Sequence, residues 1–187
     1  MRPLPLIPFA CAAMLAATAC CAEAAPDAQF VPAFQSFLRA SEGQDAALAS
    51  ALAGFEALSR AEPASPVLLA YRGAATAMQA RSTYLPWRKM AYAEDGLALL
   101  DKALAMLQPA HDAPGQQQVP AVLDVKLVAA NTFLALPAMM ARRDRGVKLL
   151  GEVARSPLLP SAPPAFQETV RKALDKARLA PDGRPRT

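Results

Sequence analysis

Eighteen prolines punctuate this chain, and most of them fall between segments whose apolar residues recur with a helical period. A proline inside a helix removes a backbone donor and clashes with the preceding turn, whereas one between helices only marks where they start and stop. Alanine and leucine dominate the segments between, and β-branched residues are sparse. Both residue types lose little entropy in a helix, so the composition favours helices over strands.

The periodicity predicts seven helices. Phe30, Phe34, Phe37 and Leu38 share one face of a helix over 28–40, which Ser41-Glu42-Gly43 breaks. Leu48, Leu52, Phe55 and Leu58 make the stripe of a second, over 45–60, ended by Glu62-Pro63. Ser65-Pro66 pairs an N-cap serine with a first-turn proline and opens a third helix, running to about Arg81. Gly73, Ala74, Ala75 and Ala77 give it a very small face on which a neighbour can approach closely. The fourth runs from Pro86 to Leu107 with Met90, Leu97, Leu100, Leu104 and Leu107 inward.

A polar loop follows, from Pro109 to Pro120, with a turn at Pro114-Gly115. Pro120 opens a fifth helix through Leu136, and Pro137 must kink or end it. Leu127 to Ala141 is the most apolar internal stretch, too short to span a bilayer and better suited to a helix buried on all sides. Helices over 144–154 and 164–179 complete the set, the last carrying a Glu168–Lys172 pair.

The two ends read differently. Arg2 precedes an apolar run from Leu4 to Ala19, and Ala22-Glu23-Ala24 forms a cleavage site. Residues 1–24 therefore read as a removed export signal, which addresses the chain to the periplasm of a bacterial cell or beyond it. The segment holds all three cysteines, Cys11, Cys20 and Cys21, so the mature domain would carry no thiol. Ala17-Thr18-Ala19 before Cys20 approaches a lipoprotein box, and lipidation at Cys20 is the alternative that would anchor the protein to a membrane. Residues 25–180 make one helical domain. The tail over 181–187 lacks apolar content and is expected to be disordered.

The signal takes away one base, Arg2, and one acid, Glu23, so the net charge stays at +4. Bases and acids are interspersed, which is not how a nucleic-acid binder arranges them. His111, the single histidine, stands in the polar loop beside Asp112. A catalytic histidine must be held rigidly against a nucleophile, and zinc sites want cysteine or several histidines, so no metal or cofactor is expected. Glu94, Asp95 and Asp101 lie on one predicted helix and could serve a carboxylate-dependent hydrolase only by facing a common cleft; a solvated face is the simpler arrangement. Arg142-Arg143-Asp144-Arg145 could bind an anion or form a charged turn between two helices. No Gly-rich phosphate loop or nucleophile elbow occurs, and the chain is expected to have no enzymatic activity.

The cluster that suggests binding is aromatic and basic. All three tyrosines and the single tryptophan fall between Tyr71 and Tyr92, and Tyr84, Trp87, Arg88 and Lys89 crowd into one short stretch. Trp, Tyr and Arg are enriched at binding hot spots, which makes Tyr71, Tyr84, Trp87, Arg88, Lys89 and Tyr92 the candidate partner surface. In the opposing arrangement Trp87 and Tyr92 cap the core while Arg88 and Lys89 are solvated.

Gly96, Leu100 and Ala103 follow a small-x3-large-x2-small spacing, and Gly146, Leu150 and Val153 repeat it 50 residues later. Pro109 and Pro157 follow, and Leu69 with Gly73 gives an apolar residue and a glycine four positions on. From Val67 to Pro157 this resembles the tetratricopeptide repeat (TPR), with Thr76 where that family has an aromatic residue. The resemblance implies a right-handed stack of antiparallel helix hairpins with a concave surface. It further implies a scaffold that binds a protein partner, such as a component of an envelope complex or transporter. The other function considered is a small-ligand carrier, with an apolar pocket lined by Gly73, Ala77 and Met139.

Overall fold

The computed structural model describes residues 27–178; the segment 1–24 expected to be an export signal, with its three cysteines, and the tail over 181–187 lie outside the described residues. The described residues form seven α-helices: α1 (Asp27–Ser41), α2 (Leu48–Ala61), α3 (Pro66–Met78), α4 (Pro86–Ala105), α5 (Ala121–Ala135), α6 (Arg143–Ala154) and α7 (Pro164–Ala177). No strand occurs among the described residues, so the all-α expectation holds.

The prolines act as boundaries. Pro66, Pro86 and Pro164 each sit in the first turn of a helix, where a missing N–H costs nothing. The Ser65 hydroxyl accepts the Leu68 N–H at 3.4 Å and caps α3. Pro120 caps α5. Pro137 ends it: Leu136 takes an extended conformation, as a residue before proline should, and Met139 in the following turn is 77% exposed. The apolar run from Leu127 to Ala141 is therefore not one buried helix. Its first nine residues belong to α5, whose burial is nearly all-round, and its remainder is a surface turn.

Sequential helices pack on one another: α1 on α2, α3 on α4, α5 on α6. In addition α2 meets α3, α3 meets α5, and α7 lies against α5 and α6. The links within the α1–α2, α3–α4 and α5–α6 pairs are short, which is the arrangement of antiparallel helix hairpins. Each hairpin closes at a glycine of its second helix. A Cβ on Gly54 would stand 2.7 Å from the Ala33 Cβ, one on Gly96 would stand 2.6 Å from the Gly73 carbonyl oxygen, and one on Gly146 would stand 3.2 Å from the Ala130 carbonyl oxygen. Gly54, Leu58 and Ala61 thus carry in α2 the spacing that Gly96 carries in α4 and Gly146 in α6, a third copy that the sequence reading did not pick out. Leu58, Leu100 and Leu150 are all buried.

The core runs through all seven helices. Its densest part is an aromatic cluster of Phe30, Phe34, Phe37, Phe55 and Tyr71, with Tyr71 stacked on Phe55 at 5.0 Å and edge-on to Phe37 at 5.0 Å.

Candidate functional site

The odd-numbered helices share one face, and an apolar cleft of about 900 Å³ opens along it, bounded by α1, α3, α5 and α7. The first turns of α4 and the 116–119 segment also contribute to its lining. Such a volume lies at the upper end of those typical for ligand sites. Phe34 and Phe37 line it from α1, Leu127 and Val128 from α5, Met140 from the turn after α5, and Phe166 from α7.

Polar groups in the cleft are few. Arg81, Lys89 and Lys176 are exposed bases at its margin, and the Arg81 guanidinium donates to the Ala40 carbonyl at 2.7 Å. Asp124 is the single acid among the lining residues. It stands in the first turn of α5 with 7% of its surface exposed, and its Oδ1 accepts the Tyr71 hydroxyl at 2.8 Å. Tyr71 is 5% exposed, so the bond ties α3 to α5 through the interior. Burial drives the Asp124 carboxyl up from 3.8 to about 6, although the hydrogen bond from Tyr71 pulls it down. Burial likewise raises the Tyr71 hydroxyl, helped by the Asp124 charge and by the same hydrogen bond.

The six residues of the aromatic and basic cluster are not brought together. Tyr71 is in the core. Tyr84 is 97% exposed and Trp87 65% exposed, side by side with exposed Arg88 at the start of α4. Trp87 therefore does not cap the core, and Tyr92 is half-buried. Of the six, Tyr71 and Lys89 line the cleft. Of the pocket residues expected for a carrier, Ala77 and Met139 line the cleft, but Gly73 does not. It lies at the α3–α4 crossing instead.

The carboxylates of α4 diverge. Glu94 and Asp95 are exposed, while Asp101 receives Arg142 at 3.3 Å and Arg145 at 2.5 Å. Both guanidinium groups also lie within 6 Å of the Phe133 ring centroid, Arg142 at 5.9 Å and Arg145 at 5.2 Å. The Arg142–Arg145 turn is thus bound to α4. His111 is held in a short helical turn, where its Nδ1 accepts the Gln108 N–H at 2.8 Å, and it does not line the cleft. No group of three or more His, Cys, Asp or Glu side chains is gathered among the described residues. None of the described helices is long and apolar enough to cross a membrane.

Asp124 went unnoticed in the sequence because an acid in the first turn of a helix needs no further reason to be there. Its partner is 53 positions away, and no local pattern links the two. No family model, no curated protein and no solved structure matches this chain.

Proposed function

We propose that this chain is an exported, non-enzymatic helical scaffold of TPR-like type that binds a protein partner in the bacterial envelope. The observation that carries this reading is the apolar cleft along the face shared by α1, α3, α5 and α7. Alternate helices of a hairpin stack line one face in common, and an open apolar face of this size is what a partner segment would cover. The glycine-closed crossing found in all three hairpins supports a repeat origin, and with it the right-handed stacking that the resemblance implies. Exposed Tyr84, Trp87 and Arg88 add a second contact area beside the cleft. Export rests on the Arg2 to Ala24 segment.

The test places a photoreactive residue at Met139 or at Trp87 in the full chain, crosslinks in the native envelope, and identifies adducts by mass spectrometry. One discrete protein adduct, lost with Trp87→Ala/Arg88→Ala or with a charge introduced at Val128, is the expected result. Absence of any protein adduct at both positions overturns the reading.

A small-ligand carrier is the second reading, favoured by Ala77 and Met139 lining one apolar cleft. It predicts a bound small molecule in native mass spectra of protein taken from its envelope. The hydrolase alternative gains no support, since Asp101 is committed to two arginines and Glu94 and Asp95 are exposed and do not line the cleft.

A further inference from the structure

We infer that the cleft takes an apolar segment of a partner polypeptide whose single lysine or arginine side chain enters to Asp124. This rests on the reading of the chain as a partner-binding scaffold. A carboxylate taken out of water needs a counter-charge or several hydrogen bonds. Asp124 has one hydrogen bond, from Tyr71, and no base among the described residues pairs with it. The three bases that line the cleft are exposed and screened by water, whereas Asp124, which also lines it, is buried.

The surroundings suit a cation. Phe30, Phe34 and Phe37 line the same cleft as Asp124, and all three rings pack within 6 Å of the Tyr71 ring, at 5.6, 5.5 and 5.0 Å. Ring faces attract ammonium and guanidinium groups, most strongly where water is excluded. An entering base would therefore meet a carboxylate and aromatic walls together, while its aliphatic stem stays against apolar surface. The remaining length of the cleft, lined by Leu127, Val128, Met140 and Phe166, accepts apolar neighbours in the segment. Lys89 and Lys176 at the margin suit acidic residues flanking it.

The experiment uses fluorescein-labelled octapeptide pools on the full chain, read by fluorescence anisotropy at about pH 8, where Asp124 is ionised. Leu, Phe and Val are mixed at the inner positions, Glu is fixed at both ends, and the central residue is Lys, norleucine or Glu. The lysine pool is expected to bind roughly tenfold tighter than the norleucine pool, which has the same stem without the charge. Asp124→Asn should bring the lysine pool down to the norleucine level and leave the norleucine pool unchanged. Lysine no better than norleucine in the unaltered protein overturns the inference, leaves the partner-binding cleft standing, and does not depend on how the variant folds. If n-hexylammonium displaces the lysine pool at equal concentration, the occupant is a small amine and the polypeptide part is overturned. If no pool binds, the cleft itself is overturned as a docking surface.

Discussion

Gly73 and Gly96 meet across the α3–α4 crossing so closely that a Cβ on Gly96 would lie 2.6 Å from the Gly73 carbonyl oxygen and 2.6 Å from the Ala77 nitrogen. The clash is with backbone, which cannot step aside without parting the helices. Gly96→Ala is therefore expected to lower stability by about 2–3 kcal/mol in urea unfolding, outweighing alanine's better helix propensity. The α1–α2 crossing differs, because there the new methyl would meet a side chain, Ala33, at 2.7 Å. Gly54→Ala should be rescued in part by Ala33→Gly. No single substitution opposite Gly96 offers the same relief, and rescue of Gly96→Ala by Ala77→Gly to the wild-type value would contradict this account.

Asp124 makes stability depend on pH. Folded, its carboxyl titrates near 6; unfolded, it returns to about 3.8. Between those values the folded chain holds a proton that the unfolded chain has released. This group's contribution to stability therefore falls as pH rises through that window and is flat above it. The two values differ enough to make the loss about 3 kcal/mol. Asp124→Asn keeps an oxygen for the Tyr71 hydroxyl and has no charge to bury, so the variant should exceed wild type by up to about 3 kcal/mol near pH 7.5 and match it near pH 4. Tyr71→Phe removes the donor that favours the ionised form and should steepen the wild-type fall. Parallel curves for wild type and Asp124→Asn would disprove this.

The helices were legible because each is bounded by a local signal. Ser65-Pro66, Pro86, Pro120 and Pro164 open helices where the sequence places them, and Pro137 closes one. The stripe of α2 emerges with Leu48, Phe55 and Leu58 buried and Leu52 half-buried. The first glycine crossing was hidden because Gly54 precedes Gly96 by 42 residues and Gly146 follows it by 50, so no fixed period connects the three. The site was the least legible part. A cleft made by alternate helices draws its residues from six separated segments, and Tyr71 looked like a member of the Tyr84–Trp87 group by proximity in sequence alone. In the fold it turns inward to Asp124, while Tyr84 and Trp87 turn out.

Asp101 joins α4 to the start of α6 through Arg142 and Arg145, the three side chains being 31–41% exposed. Pairs of this kind are screened by water and contribute little. Asp101→Asn should therefore cost about 0.5–1 kcal/mol in dilute buffer, and raising the salt to about 1 M should remove most of the difference. A loss above about 2 kcal/mol that persists in high salt would show that the contact acts through packing on Phe133 and not through charge.

Ala141 sits in the turn between α5 and α6 with φ at +50° and ψ at +34°, the left-handed conformation. A Cβ there crowds the following carbonyl, at a cost of about 1–2 kcal/mol relative to glycine. The side chain is exposed. Glycine also gains freedom in the unfolded chain, which offsets part of the relief. Ala141→Gly is accordingly expected to raise stability by about 0.5–1 kcal/mol, seen as a higher urea midpoint at unchanged slope. The turn is held there by Pro137 ending α5 and by the two arginines reaching Asp101, so the variant should keep both features and the cleft beside them. A lower midpoint would mean that the left-handed residue is not a strained point in the turn.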